Sequence, residues 1–389
     1  MSEIPAKPAA QGHIPALDGI RGLAILMVLC VHFFVTFTPQ NFFELSLQKL
    51  SGYGTLGIDL FFMLSGFLIT GILMDTKADA QYLRNFWVRR FLRIFPLYYL
   101  VLLLVMLVLL LLPEALQPAY AKVWDAMPWA WTYLLNFYIA AEGSWSVPYI
   151  GHFWSLAVEE QFYLVWPLLV YRLAERHLMH LCAALVILST AFHFWMDVNG
   201  ISKVSIHVLT PLRLNALCLG AWLAIWLRQP SVVVQGKVVL RRWAAWLFGA
   251  SLLTKIAIIA LVQMNPSMDE AAEAFRTLSW LGFFAALHLG AVALPKTSLL
   301  NRGLCLKPLR FLGKYSYGIY VFHHFLSWPA YQYHSIDWLT SSLGHQTPAV
   351  LVNAAIGISV AILGAWISYH LFEKHFLRWK DRLAPRVTS

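Results

Sequence analysis

An arginine followed by a histidine eleven positions later, inside an otherwise apolar run, is the first combination in this sequence that could do chemistry. The run is LDGIRGLAILMVLCVHFF, and it holds Asp18, Arg21 and His32. In a helix, about 100° per residue brings Arg21 and His32 within roughly 20° of one face, about 16 Å apart along the axis. Asp18 and Arg21, three apart, also share a face. Ionisable groups inside an apolar helix are costly and need a reason. Arg21 can snorkel to lipid headgroups and His32 can be a packed polar residue; equally, an imidazole can take a proton from a hydroxyl.

Further along, GYGTLGIDLFFMLSGFLIT places Asp59 at a depth similar to that of His32, where a carboxylate could orient the ring. The other readings of Asp59 are a helix cap or a salt bridge elsewhere. Gly54, Gly57, Ser65 and Gly66 suit close helix packing. In QYLRNFWVRRFLRIFPLYYL, Arg84, Arg89, Arg90 and Arg93 interleave with aromatics, the pattern of a helix lying in the inner membrane interface. Arg90 and Arg93 could also hold the phosphates of a donor, because guanidinium forks match phosphate oxygens. The segment GHFWSLAVEEQFYLVWPLL puts Glu159 and Glu160 side by side in a membrane-depth helix. Neighbours there point about 100° apart, so one should face a polar interior while the other pairs structurally. Catalysis and a proton relay fit these acids equally well.

The elements that must position these groups follow from composition. The chain has 389 residues, 59% hydrophobic and 12% charged, with a mean hydropathy of +0.63. Charge that sparse excludes a soluble enzyme and a disordered chain. The apolar runs are helix-length rather than short alternations, which excludes a barrel wall. The expectation is an all-α polytopic membrane protein of about ten transmembrane helices with an interfacial amphipathic helix and a polar interior channel. The spans fall near 17–38, 54–74, 96–113, 153–171, 178–197, 208–228, 244–264, 277–294, 315–333 and 349–372. Residues 124–141 read as an interfacial or re-entrant helix. A tail over 1–16 and another over 373–389 flank the membrane domain over 17–372. With the N-terminus inside, most of the 29 Lys and Arg fall on the cytoplasmic side, so both termini are expected there. The net charge of +10 is then mostly topology, and no nucleic-acid partner is needed. Residues 1–16 lack the regions of a signal peptide, so the first span is expected to be retained. Cys30, Cys182, Cys218 and Cys305 show no disulfide framework or metal spacing, and no cluster calls for a metal.

Taken in order, LDGIRGLAILMVLCVHFF, GIDLFFMLSGFLIT, RRFLRIFPLYYL, HFWSLAVEEQFYLVWPL, PLRLNALCLGAWLA, LGKYSYGIYVFHH and YHLFEKHFLRW resemble the acyltransferase-3 family of integral-membrane acyltransferases over nearly the whole chain. The resemblance implies transfer of an acyl group, commonly acetyl from cytosolic acetyl-CoA, to a carbohydrate or glycolipid at the outer face of a bacterial inner membrane. It maps the family's Arg and His onto Arg21 and His32, its paired arginines onto Arg90 and Arg93, its Glu motif onto Glu159 and Glu160, and its ninth-span histidine onto His323, with His324 extra. Many relatives carry Arg-x-Asp in the sixth span; here Arg213 is followed by Asn215, which weakens a charged role at that place. Only about seventeen residues follow the tenth span, so transfer is expected to finish in the membrane domain or pass to a separate polysaccharide-assembly partner.

Joined to the spacing, the resemblance implies a donor whose nucleotide end lies near Asp18, Arg21, Arg90 and Arg93 and whose arm runs up a channel to His32. His32 would be the general base or a transient acyl carrier, with Asp59, Glu159 or Glu160 orienting it or relaying its proton. Trp154, Arg213 and His323 are candidates for the acceptor side, because aromatic faces suit sugar rings; Tyr315, Tyr317, Tyr320 and the other Trp are most simply packing and interface residues. Acetyl-CoA is then a co-substrate and no permanent cofactor is expected. A proton-coupled transporter using His32, Asp59 and Glu159 as its relay is the competing class, and a scaffold in a polysaccharide-assembly complex is a third.

Overall fold

The computed structural model describes residues 13–113, 120–265 and 269–385, so parts of both expected tails lie outside the described residues. Helices are the regular elements within that range. The first stretch contains α1 (Pro15–Phe34), α2 (Phe42–Gly52), α3 (Leu56–Asp75) and α4 (Tyr82–Leu111). Next come α5 (Ala121–Trp131), α6 (Leu135–Glu142), α7 (Trp154–Arg172), α8 (Glu175–Val198), α9 (Lys203–Val208), α10 (Thr210–Trp226) and α11 (Pro230–Met264). The last stretch runs through α12 (Asp269–Ala293), α13 (Leu299–Leu304), α14 (Lys307–Gln332), α15 (Ser335–Leu343), α16 (Gln346–Ser368) and α17 (Lys374–Leu383).

All ten stretches expected to cross the membrane coincide with long helices: α1, α3, α4, α7, α8, α10, α11, α12, α14 and α16. Among the described residues, eight helices are long and apolar enough to span by length and composition. The two long helices outside that set are α7 and α14. They have the length, at 19 and 26 residues. Their hydropathy is lowered by Glu159, Glu160 and Gln161 in one and by His323 and His324 in the other, buried or half-buried residues, and in the second also by the exposed Lys314 near the helix start.

Two expectations about the rest are modified. The basic segment at 84–95 is not a separate helix lying in the interface; it is the first part of α4, which runs unbroken for 30 residues with Pro96 inside it. At 1.5 Å per residue that helix is about 45 Å long, against about 30 Å of hydrocarbon, so its basic turns can project past the apolar layer without leaving the helix. The stretch 124–141 is two short helices, α5 and α6, of 11 and 8 residues, neither long enough to cross. Between them Tyr133 adopts φ 54°, a left-handed conformation that ends one helix and re-aims the next.

Close backbone approach sets which helices meet. A Cβ on Gly22 would lie 1.9 Å from the Leu309 carbonyl oxygen, and one on Gly313 2.0 Å from that of Asp18, so α1 and α14 can touch only with glycine at both places. In the same way a Cβ on Gly66 would lie 1.9 Å from the Leu217 oxygen and one on Gly220 2.0 Å from the Met63 oxygen, which locks α3 to α10. Small residues at such crossings are the usual device for helix association in lipid. These two contacts carry the candidate site.

Candidate active site

At one end of the bundle α1, α3, α4, α7 and α14 enclose a cavity of about 510 Å³ lined by Asp18, Arg21, Arg90, Arg93, Glu159 and Tyr163, among others. Arg21 donates to Asp18 at 3.3 Å, as the three-residue spacing suggests, and Asp18 also meets the His13 ring at 2.7 Å. The Arg90 guanidinium lies 5.3 Å from the Tyr163 ring centre and 5.9 Å from that of Phe86. Glu159 sits beside Ser65 and Tyr163, within electrostatic reach of Arg90 and Arg21. Among the described residues neither Arg90 nor Arg93 forms an ion pair with a carboxylate. Arg89, by contrast, is spent on structure: it bonds the Ala384 carbonyl at 2.5 Å and Asp381 at 3.0 Å, tying α4 to α17. The cavity therefore presents an excess of positive charge in a partly dry place, a setting that favours a polyanion.

Further along α1 and α14 the character changes. The His32 ring stands edge-on to that of His323 at 4.6 Å and to that of His324 at 5.6 Å. His152, in the 3₁₀ turn Gly151–Phe153 that leads into α7, completes the group at 5.0 Å from His323 and 4.8 Å from His324. Each ring spends one nitrogen on a backbone carbonyl. His32 Nδ1 reaches Val28 O at 2.8 Å, His323 Nδ1 reaches Tyr320 O at 2.6 Å, His324 Nδ1 reaches Tyr149 O at 3.2 Å and His152 Nε2 reaches Val321 O at 3.2 Å. A carbonyl only accepts, so that nitrogen carries the proton and the opposite one keeps a lone pair. For His32 the free atom is Nε2, the tautomer a general base needs. His323 Nε2 and His152 Nδ1 are buried without a partner among the described residues.

The cavity and the histidine cluster share a wall. Ser155 and Tyr320 line the cavity, and their hydroxyls lie 2.5 Å apart. Tyr320 donates to the His152 carbonyl at 2.7 Å, and its ring lies 5.3 Å from both His152 and His323. None of the four histidines is among the residues that line this cavity.

The remaining candidates are placed differently from what spacing suggested. Asp59 does not hold the His32 ring: its Oδ1 accepts from Arg213 at 2.9 Å, and the nitrogen of His32 that a carboxylate could grip is taken by Val28. The start of α3 also packs closely on α1, where a Cβ on Gly57 would lie 2.6 Å from the Ala24 oxygen, yet the Asp59 side chain is directed to α10. Asn215 takes no part in that pair; its side-chain oxygen accepts from the Ala216 amide at 2.7 Å. Glu159 and Glu160 diverge as the helix geometry requires. Glu160, however, has no ion pair among the described residues; its Oε1 is buried and unpartnered there, in a tyrosine-rich wall near Tyr98, Tyr99 and Tyr133. Trp154 is 2% exposed and packs against Phe62 and His207, so it forms a wall. The neighbouring open ring is Trp145, 48% exposed and 6.4 Å from Trp154, which sequence reading did not single out. His152 was also missed, although it stands in the same block as the two glutamates; a short turn ahead of a helix carries no periodic signal.

Comparison with known proteins gives a consistent result. A family model described as an acyltransferase domain matches residues 14–380. The peptidoglycan O-acetyltransferase OatA of Listeria monocytogenes is 29% identical over 379 residues, covering 93% of this chain and 55% of that protein. The O-acetyltransferase OatA of Staphylococcus aureus is 29% identical over 328 residues, covering 80% of this chain and 50% of its own length. The chain thus spans about half the length of these relatives. No solved structure matches.

Proposed function

The chain belongs to this acyltransferase-domain family, and from that premise we propose that it is a membrane O-acetyltransferase that moves an acetyl group from cytosolic acetyl-CoA to a hydroxyl of an envelope glycan on the other face of a bacterial inner membrane. The observation that carries the reading is the shared wall: a cation-rich cavity lined in part by Ser155 and Tyr320, and four imidazoles of which His152 and His323 lie against the Tyr320 ring. The arginine end faces the cytoplasm, where the donor's phosphates meet Arg21, Arg90 and Arg93 and its acyl arm points at Tyr320.

The chemistry balances with this chain's own groups. The acceptor hydroxyl adds to the thioester carbonyl while His32 Nε2 takes its proton; the carbon–sulfur bond then breaks and the thiolate recovers that proton. An ester and free coenzyme A thiol result, with no net gain or loss of protons. General base catalysis of this kind contributes about 10²–10⁴-fold. His323, whose Nε2 has no partner, holds the His32 ring edge-on and can share its proton. Glu159 steadies the arginines, and Arg213 with the Trp145–Trp154 pair borders the acceptor side. The name of the Listeria relative points to peptidoglycan as the acceptor class. If His32 instead carries the acetyl group covalently, label stays on the protein when acceptor is withheld.

The test is acetyl transfer by purified protein in nanodiscs, with labelled acetyl-CoA and peptidoglycan fragments or extracted envelope glycan as acceptor. Label in glycan with wild type and none with His32→Ala is expected. Uptake of an unmodified substrate into vesicles, with no ester formed, would overturn the reading in favour of a transporter.

A further inference from the structure

A second, smaller cavity of about 300 Å³ adjoins the first and shares Asp18, Arg21, Arg93 and Tyr317 with it. Its additional wall comes from the first turns of α14, which supply Arg310 and Lys314, and from the turn Tyr369–Glu373. That turn is π-helical, a local widening often found at functional sites. Arg310 and Lys314 are among the 29 Lys and Arg whose distribution sets the expected topology. In the structure they converge with Arg21 and Arg93 from three different helices onto one concavity.

The charges there do not cancel. Among the described residues Arg93, Arg310 and Lys314 make no ion pair with a carboxylate. Lys314 instead lies 4.9 and 5.0 Å from the ring centres of Tyr315 and Tyr369. Of the two acids in the wall, Asp18 is engaged by Arg21 and His13, and Glu373 accepts from Ser368 at 3.1 Å. Four convergent cations against two acids, one of them Glu373 within electrostatic reach of Arg93, leave a positive excess that an anion in the concavity relieves. The larger cavity does not need these groups for its own anion, because it has Arg90 as well as the shared Arg21 and Arg93.

We propose that the smaller cavity binds a phosphomonoester, the 3′-phosphate of the donor nucleotide, while the larger one takes the diphosphate and the acyl arm. This rests on the acyl-CoA reading above. A coenzyme A donor carries two separated phosphate groups, and the protein offers two cation clusters hinged on Arg21 and Arg93. A phosphomonoester carries about −1.5 to −2 at neutral pH, which matches the excess of four cations over two acids in the smaller wall. Tyr315 and Tyr369 lend aromatic faces beside it.

The experiment measures affinity of the full chain, in nanodiscs of zwitterionic lipid and of lipid containing phosphatidylglycerol, for coenzyme A and for 3′-dephospho-coenzyme A. Wild type is expected to prefer coenzyme A by about ten- to a hundredfold, the scale of one or two charge-assisted hydrogen bonds. Arg310→Ala with Lys314→Ala should remove that preference, bringing coenzyme A down to the dephospho form and leaving the dephospho form unchanged. Equal affinities in wild type, or a variant that weakens both ligands alike, would overturn the proposal while leaving the donor reading intact. An anionic-lipid dependence that the variant abolishes, without any preference for the 3′-phosphate, would assign the cavity to a headgroup and overturn it too. Binding of neither nucleotide by folded protein would sink the donor reading and this one with it.

Discussion

The two ends of the α1–α14 pair use ionisable groups in opposite ways. At the arginine end, side chains from α1, α4 and α14 bring cations together in open cavities with few acids to balance them. At the histidine end, four imidazoles are packed ring to ring, His323 fully buried, and each has one nitrogen bound to a backbone carbonyl. An excess of fixed charge near water favours a ligand of opposite charge; fixed, dry imidazoles with one free lone pair favour proton transfer. On the proposed function, the contrast separates binding from chemistry along one helix pair, with the Ser155–Tyr320 hydroxyl pair in the wall between them.

That separation can be broken at several places. The largest effect is expected from His32→Ala, which should lower acetyl transfer by about 10²–10⁴-fold, measured as label reaching glycan at saturating donor. Next is the Asp59–Arg213 pair. Arg213 is only 5% exposed, so Asp59→Ala strands a buried charge and should cost about 3–5 kcal/mol of stability, read as a lower unfolding temperature in detergent. A double Asp59→Leu, Arg213→Met variant should be less destabilised than either single change; if it is worse than both, the pair is not the partnership that holds α3 to α10. Arg90→Ala should weaken donor binding by about ten- to a hundredfold with little change in rate at saturation. The smallest effect concerns the hydroxyl pair. Tyr320→Phe removes the hydrogen bond to the His152 carbonyl and loosens the contact with Ser155. It should raise coenzyme A release unmatched by glycan acetylation roughly two- to tenfold, the scale of one hydrogen bond.

Much of this was legible from residues alone. Ten long helices, the divergence of Glu159 and Glu160 and the place of Arg90 and Arg93 in a cavity wall all follow from composition, helical period or family resemblance. What was not legible depends on which helices touch. Asp59 and His32 have matching depth in their separate helices, but depth does not say which neighbour a side chain meets; α3 touches both α1 and α10, and Asp59 pairs with Arg213 of α10. The roles of His152 and His324 emerge only when the turn before α7 meets the end of α14. Arg310 and Lys314 looked like topology signals because positive residues at a helix start serve that purpose whether or not they also line a cavity.

The most direct test of the division between binding and chemistry is a paired measurement on His32→Ala and Arg90→Ala/Arg93→Ala in nanodiscs: donor Kd by equilibrium binding, and single-turnover transfer rate at saturating acetyl-CoA. Separate sites should give an unchanged Kd with transfer lost for His32→Ala, and a weakened Kd with a rate near wild type for the arginine pair. A loss of donor affinity in His32→Ala that accounts for its lost transfer, or a lost rate with intact affinity in the arginine variant, would contradict it.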